Sequence, residues 1–183
     1  MSSTPKSSKT TADGAGSPAR HPFDPIVDEH SKILILGSFP SLKSFENDFY
    51  YAHPRNQFWP ILSDIFQKPA TTREERIALL RSAGIALWDV VGACERTNSA
   101  DANLKACRPN DIETLLRRYP GIGAVLFTGR KAESLYRRHF AHLQLPTALL
   151  PSPSPAYAAM DIETKKRRWR GILLQFLKSE ETE

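Results

Sequence analysis

Ile33-Leu34-Ile35-Leu36-Gly37 is the stretch of sequence from which the fold can be inferred. It is a short, continuous apolar run with β-branched residues at two positions, and a glycine ends it. Such runs are typical of strands that are buried on both faces, as in a parallel sheet. Similar runs follow at 85–91, 124–127 and 147–150. The sequence therefore predicts a small, mainly four-stranded parallel sheet.

Helical patterns separate these apolar runs. Thr72 with Glu75 has the spacing of a capping box, and Asn110 with Glu113 repeats it, so a helix start is predicted at each pair. Apolar residues at helical spacing predict further helices at 57–66, 131–140 and 161–177. Strands that alternate with helices favour an α/β fold with helices on both faces of the sheet. Right-handed crossovers bring the carboxyl ends of such strands to one edge, where ligands bind.

The composition narrows the class of protein. A chain of 183 residues suffices for one domain with a substantial core, and its net charge of +5 leans toward a polyanionic partner. No apolar run approaches the ~18 residues that a membrane span needs, so no membrane partner is expected. Two cysteines are too few for an iron–sulfur cluster or a Cys-rich zinc site. They also indicate no disulfide framework, so we expect an intracellular protein, cytoplasmic or nucleoid-associated, or nuclear in a eukaryote.

The beginning of the chain is a separate segment. Of its first 20 residues, 12 are Ser, Thr, Gly or Pro, and none is Ile, Leu, Val, Phe, Tyr or Trp. Such a stretch cannot bury enough apolar surface to offset the entropy cost of ordering it. We predict a disordered, basic, Ser/Thr-rich tail at 1–21 and a single folded domain at 22–183.

A sharper basic cluster lies near the other end, where 165–170 reads Lys-Lys-Arg-Arg-Trp-Arg. Most of its charges fall between the apolar positions of the last predicted helix. Both a solvated helix face and an edge that contacts phosphates are consistent with this pattern.

Three segments are expected at the ligand-binding edge or close to it. Gly37-Ser38-Phe39-Pro40-Ser41 follows the first strand, and the backbone N–H groups of its small residues can approach a phosphate or a base. Pro151-Ser152-Pro153-Ser154-Pro155 follows the fourth strand and is either a phosphate-binding loop or a rigid linker. Tyr50-Tyr51-Ala52-His53-Pro54-Arg55-Asn56-Gln57-Phe58-Trp59 sets aromatic beside basic residues, which suits base stacking.

The sequence is equally consistent with structural roles for several of these residues. His53 before Pro54 can be a structural histidine, and Asn56 can be a helix cap. Asp89, at the end of the second apolar run, either reaches the ligand edge or fixes a loop.

Together the three segments resemble the uracil-DNA glycosylase superfamily, and most closely its hypoxanthine-DNA (DNA-deoxyinosine) glycosylase family. The resemblance implies a three-layer αβα sandwich, in agreement with the predicted sheet. It also implies hydrolysis of the N-glycosidic bond of a flipped, deaminated base, with hypoxanthine as the favoured base and an abasic site as product. The implied partner is double-stranded DNA containing a damaged base, and no metal or cofactor is required. The two cysteines argue against the iron–sulfur branches of the superfamily.

The resemblance further implies roles for individual residues. Asn56 is expected to hold the attacking water, because Phe39 stands where many relatives have Asp or Asn. Tyr51 matches the position where an aromatic ring stacks on the base. Thr128 stands where relatives often have Asn for base recognition, and Leu150 where some have His. The expected base pocket comprises Tyr51, Tyr50, Phe39, Ser38, Gly37 and Thr128. The expected DNA contacts are Ser41, His53, Arg55, Lys131, Ser152, Ser154 and Tyr157.

Two other functions remain open at this point. The same fold would serve removal of uracil or mismatched thymine. A non-catalytic nucleic-acid-binding module would keep the fold without the chemistry. A monomer is the default expectation for the oligomeric state.

Overall fold

The computed structural model describes residues 19–20, 23–96 and 104–178. In chain order its elements are β1 (Ala19–Arg20), β2 (Ile33–Gly37), α1 (Leu42–Asn47), α2 (Phe58–Phe66), α3 (Arg73–Ala83), β3 (Ile85–Asp89), β4 (Val91–Arg96), β5 (Leu104–Pro109), α4 (Ile112–Arg118), β6 (Ala124–Phe127), α5 (Arg130–Phe140), β7 (Thr147–Leu149) and α6 (Ile162–Leu177). No helix in this part of the chain is long and apolar enough to cross a membrane.

The central sheet contains four strands in the order β3-β2-β6-β7, and every neighbouring pair is parallel. This confirms the sheet predicted from the apolar runs. The carboxyl ends of its inner strands meet at one edge. Gly37 pairs in register with Asp89, and the Thr128 N–H donates to the Leu36 carbonyl. Residues that follow β2, β3 and β6 are thereby brought together.

Side chains of β2 alternate between two apolar cores. Ile33 and Ile35 face a core that contains residues of α2, α3 and α6, including Trp59 and Trp169. Leu34 and Leu36 face the opposite core, which contains residues of α4 and α5. Burying a large apolar side chain contributes ~1.5–3 kcal/mol, so both faces of the sheet need their helical layer. The predicted three-layer αβα sandwich is confirmed.

A second, antiparallel sheet of three strands, in the order β1-β4-β5, adds to the predicted architecture. The apolar run at 85–91, which predicts a single strand, is divided between the two sheets. β3 ends at Asp89, and β4 begins at Val91 and leaves in a new direction. The turn is fixed by the Val90 N–H, which donates to Gly37 O, and by the Val91 N–H, which donates to Ser38 O.

β1 lies within the segment 1–21, for which the sequence predicts a disordered tail. Ala19 pairs with Cys94 and Arg20 with Ala93, antiparallel to β4. The remainder of the predicted tail lies outside the described residues.

Of the two predicted capping pairs, the structure confirms the one at Thr72 and not the one at Asn110. Thr72 and Glu75 form the expected reciprocal capping box at the start of α3. Asn110 does not cap α4; the cap is Asp111, whose side chain accepts from the Thr114 N–H. The Asn110 amide instead donates to the backbone carbonyls of Asp89 and Val91, at 2.9 and 3.2 Å. Asn110 thus ties the base of the β4–β5 pair to the end of β3.

Candidate active site

A cleft of about 1130 Å³ lies at the edge where the parallel strands end. Its floor comes from the segment after β2, its sides from the ends of β3 and β6, and its rim from the loop after β7 and from α6. Pockets for small molecules typically measure ~300–1,000 Å³, so this cleft has room for more than one base. The predicted ligand edge and the cleft coincide.

Tyr51 is held in the cleft by a constrained backbone and two side-chain contacts. Its backbone has a φ of +50°, in the left-handed region that a bulky residue adopts only when its surroundings hold it there. Its ring stacks on Phe58 with centroids 4.0 Å apart and planes 7° from parallel. Its hydroxyl is hydrogen-bonded to Thr128 Oγ1 at 2.8 Å. The ring therefore has a fixed orientation before any ligand arrives.

Gly37 provides the close approach on the floor of the cleft. A Cβ at this position would lie 2.7 Å from the Tyr51 hydroxyl and 3.5 Å from Thr128 Oγ1, and it would collide with Asp89 Oδ1. Only a residue without a side chain allows these oxygen atoms to gather over β2. Asp89 is almost fully buried, with 4 % of its surface exposed, and it lines the cleft.

Asn56 also lines the cleft, immediately before α2. Its Oδ1 atom accepts a hydrogen bond from the Phe58 N–H at 2.9 Å, and its own N–H donates to His53 O. The N-cap of α2 is Gln57, so Asn56 is not the helix cap that the sequence left open, although its oxygen bonds the N–H of the first helical residue. A carbonyl oxygen has two acceptor sites, so the contact leaves one for a ligand or a water. The turn fixes the side-chain orientation of Asn56.

Tyr50 and Phe39 are buried residues that line the cleft. The Tyr50 hydroxyl donates to Asp24 O at 2.8 Å, and its ring is edge-on to Phe23. Burial, together with the nearby Asp89 carboxylate, raises the pKa of the Tyr50 phenol above its ordinary value, so it remains a donor. Phe39 is buried and packs against Phe45 with centroids 5.5 Å apart.

The loop after β7 is stiffened by its own hydroxyls. Ser152 Oγ accepts from the Ser154 N–H, and Ser154 Oγ accepts from the Ala156 N–H, each at 3.2 Å. Both oxygens act as acceptors inside the loop, so each hydroxyl retains its proton for donation to an external acceptor such as a phosphate. Tyr157, at the end of this loop, is a large residue with 40 % of its surface exposed.

Lys165 fits neither interpretation of the cluster at 165–170, the solvated helix face or the edge that contacts phosphates. With 1 % of its surface exposed it is neither solvated nor available to a phosphate. Its ammonium group donates to Gln57 Oε1 at 2.7 Å and to Ser154 O at 3.2 Å, and it lies 5.3 Å from the centroid of the Tyr157 ring. Burial lowers the pKa of Lys165. The residue is a bridge between the start of α2 and the rim loop.

The other charges of this cluster are divided between the cleft and the surface. Arg168 is exposed and lines the cleft. Lys166 lies 3.4 Å from Glu163 and Arg170 lies 3.8 Å from Asp64, in pairs on the helix surface. Of the six positions, therefore, Arg168 is the one that offers a positive charge to the cleft.

The structure brings most of the sequence-predicted site residues together. Those that line the cleft are Gly37, Ser38, Phe39, Ser41, Tyr50, Tyr51, Asn56, Thr128, Ser152, Ser154 and Tyr157. Those outside its lining are His53, Arg55 and Lys131. His53 has a local role, because its Nδ1 accepts from the Arg55 N–H at 3.1 Å.

Sequence reasoning missed Arg130, which lines the cleft next to the predicted Lys131. Both residues begin α5, and the sequence contains no signal that distinguishes which of them faces the ligand edge. Within the described residues, no group of three or more His, Cys, Asp and Glu side chains is placed to hold a metal ion. The polar groups of the cleft are thus hydroxyls, an amide, a carboxylate and two guanidinium groups.

Known proteins are similar to this chain in sequence and fold. The Uracil DNA glycosylase superfamily model matches residues 25–178. The chain is 32 % identical over 149 residues to the hypoxanthine DNA glycosylase of Methanosarcina barkeri, covering 80 % of this chain and 93 % of that protein. It is 30 % identical over 152 residues to the protein of the same name from Methanosarcina acetivorans, covering 82 % and 95 %.

A solved structure agrees with these matches. The solution NMR structure of a Methanosarcina acetivorans protein, described as a candidate uracil DNA glycosylase, superimposes with a TM-score of 0.73 at 30 % identity. The alignment covers 85 % of this chain and 96 % of that one. Because the family match includes the whole parallel sheet and every segment that lines the cleft, the chain belongs to the uracil DNA glycosylase superfamily.

Proposed function

We propose that this protein is a monofunctional DNA glycosylase that removes hypoxanthine from deoxyinosine in double-stranded DNA and leaves an abasic site. The observation that carries the proposal is the presence of the Tyr51 ring and the Asn56 amide in one cleft. The names of the two Methanosarcina relatives support hypoxanthine as the base. The protein acts on DNA as a monomer.

A flipped base is accommodated by stacking. Glycosylases must rotate the target nucleotide out of the duplex, which costs a few kcal/mol and least for a mispaired base such as hypoxanthine. Phe58 covers one face of the Tyr51 ring, and the other face receives the base. Stacking of a base on an aromatic ring recovers ~1–3 kcal/mol. The fixed orientation of Tyr51 means that little entropy is lost when the base arrives.

Hydrolysis then needs a positioned water. The bond between C1′ and N9 of the base breaks, its electron pair leaves with the base, and C1′ acquires oxocarbenium character. The second acceptor site of Asn56 Oδ1 holds the water whose oxygen forms the new bond to C1′. The water loses its proton to solvent, and the departing base gains one at nitrogen. Positioning, rather than strong base catalysis, is the contribution of an amide.

The DNA backbone is held by the rim of the cleft. The Ser152 and Ser154 hydroxyls donate to phosphate oxygens, and Arg168 and Arg130 supply positive charge. Tyr157, exposed at the tip of the rim loop, enters the space that the flipped nucleotide leaves.

The test is strand cleavage after alkali, on duplexes that carry one hypoxanthine or one uracil. We expect cleavage at hypoxanthine that Asn56→Ala reduces by ~100-fold or more and that Asn56→Asp largely restores, since the carboxylate keeps the oxygen that bonds Phe58. Cleavage at uracil alone would replace the proposal with the uracil and mismatched-thymine function. Retained DNA binding without cleavage of either duplex would identify a non-catalytic binding module.

A further inference from the structure

Asp89 lines the cleft, but neither the proposed water site nor the proposed contacts with the DNA backbone give it a role. Its carboxylate is 4 % exposed at the end of β3, and it is part of the wall of the cleft. Asn110 bonds the backbone carbonyl of Asp89 and so fixes the end of β3, from which the carboxylate is presented to the cleft.

Two hydroxyls accompany this carboxylate. Asp89 Oδ1 contacts the Cβ position of Gly37, and the Tyr51 hydroxyl and Thr128 Oγ1 lie 2.7 and 3.5 Å from the same point. The two hydroxyls are hydrogen-bonded to each other at 2.8 Å. An ionised carboxylate only accepts hydrogen bonds, whereas a hydroxyl can also donate. The cleft thus has a carboxylate acceptor beside a hydroxyl pair that can donate.

Deamination creates the complementary pattern on a base. Adenine presents an acceptor at N1 and an amine donor at C6, whereas hypoxanthine presents an N1–H donor and an O6 acceptor. Uracil and cytosine differ in the same sense at N3 and at the exocyclic group on C4. A carboxylate accepts from the ring N–H of a deaminated base, but it repels the ring nitrogen lone pair of the parent base.

We propose that Asp89 is a specificity-determining residue that accepts a hydrogen bond from the ring N–H of the flipped, deaminated base, while Thr128 donates to the adjacent carbonyl oxygen. The inference rests on the proposed function for its substrate and deepens it. Asp89 reads the edge that deamination has changed, and Asn56 acts at the opposite, sugar end of the nucleotide. A site built around a substrate N–H rejects the analogue that lacks it far more strongly than an apolar pocket could.

The experiment measures base preference separately from hydrolysis. Free hypoxanthine and free adenine are titrated into the wild-type protein and into Asp89→Asn, and NMR chemical shifts report each dissociation constant. We expect the wild type to prefer hypoxanthine by about 10- to 100-fold and the variant to lose that preference, because an amide can rotate to donate to adenine N1. Excision of hypoxanthine from duplex DNA is expected to fall in parallel.

Two matched variants complete the test. Asp64→Asn changes an exposed carboxylate that pairs with Arg170 outside the cleft, and it should leave the base preference unchanged. Thr128→Val removes the donor, and it should weaken hypoxanthine binding while adenine binding changes little. If Asp89→Asn fails to fold, the Thr128→Val result together with the wild-type preference decides the question.

The outcomes separate the two proposals. Unchanged base preference in Asp89→Asn, or a wild type that binds both bases equally, would overturn the role of Asp89 even if hypoxanthine is excised. A wild type that binds hypoxanthine selectively through Asp89 but cleaves no duplex would overturn the proposed function and leave the recognition role standing.

Discussion

Lys165 Nζ donates to Gln57 Oε1 at 2.7 Å, across 108 residues of sequence. Gln57 follows Asn56 directly, and its backbone N–H donates to Pro153 O at 2.9 Å. The same ammonium group bonds Ser154 O. The residue proposed to hold the water and the loop proposed to hold phosphates are therefore joined beneath the cleft by one buried charge.

Lys165→Met should lower both stability and activity. Removing the ammonium group leaves Gln57 Oε1 and Ser154 O without this donor, which costs about 1–3 kcal/mol, so we expect a lower Tm. The rim loop would lose its link to the segment that carries Asn56, and small displacements of this kind lower kcat by ~10- to 100-fold. Thermal unfolding and single-turnover excision measure the two effects.

The adjacent Lys166 offers a matched control for this variant. It lies on the same helix and pairs with Glu163 outside the cleft, so Lys166→Met should change neither Tm nor kcat appreciably. Equal losses of activity in both variants would show that positive charge on α6, rather than the bridge, is what matters.

Gly37→Ala should close the floor of the cleft. The new methyl group would meet Asp89 Oδ1 and lie 2.7 Å from the Tyr51 hydroxyl, so one of them must move. Overpacking of this kind costs about 1–3 kcal/mol, and excision should be lost because the displaced groups form the base pocket. Gly123→Ala is the control, since a Cβ there meets nothing within 4 Å. Denaturant unfolding and excision assays compare the two, and full activity of Gly37→Ala would contradict the proposed pocket.

Arg168→Gln should change the salt dependence of DNA binding. A side chain that contacts phosphate contributes about 1 to the slope of log Kd against log salt concentration, and this slope should fall by that amount. Arg170→Gln on the same helix removes a charge that pairs with Asp64, and its slope should remain that of the wild type. Fluorescence anisotropy over a range of salt concentrations distinguishes them; identical slopes in all three proteins would place the DNA elsewhere.

Asp161→Ala should destabilise the protein in a pH-dependent manner. The Thr164 N–H donates to Asp161 at 2.8 Å, and this hydrogen bond holds the pKa of the carboxyl below its ordinary value. Such a group adds stability above its unfolded pKa of ~3.9, and this contribution is lost as the pH falls through the lower, folded pKa. The difference in Tm between wild type and variant should therefore shrink steadily toward acid pH. Asp161→Asn keeps a capping oxygen but cannot titrate, so the difference in Tm between Asp161→Asn and Asp161→Ala should not follow this trend.

The sequence predicts those parts of the structure that depend on local pattern. β2 follows from the continuous apolar run that ends at Gly37, because both faces of a central strand must be apolar. The cleft position of Tyr51 and Asn56 follows from a motif whose spacing is fixed by the turn into α2. Thr72 and Glu75 lie three residues apart, so their capping box needs no tertiary information.

The parts that the sequence does not predict depend on distant partners. Lys165 reads as a surface residue because its acceptors, Gln57 and Ser154, come from other elements. Asn110 has the spacing of a cap, but its amide finds better partners in the carbonyls at the end of β3, and Asp111 takes the cap. The antiparallel sheet has short strands with a shifted register, so no clear two-residue alternation marks it.

The central place of β2 also determines how the cleft can open. Its residues up to Leu36 pair on both sides, so the amides of the strand that ends at Gly37 become accessible to solvent only when the whole domain unfolds. In the loop from Pro151 to Tyr157, the Ser154 and Ala156 N–H groups donate to hydroxyls of the same loop, while Gln57, Lys165 and Trp169 anchor its carbonyls from α2 and α6. Hydrogen exchange should therefore be slow at the amides of β2, which share the lifetime of the fold, and faster at Ser154 and Ala156. A nucleotide can therefore enter the cleft while the end of β2, which forms part of the proposed base pocket, stays in place.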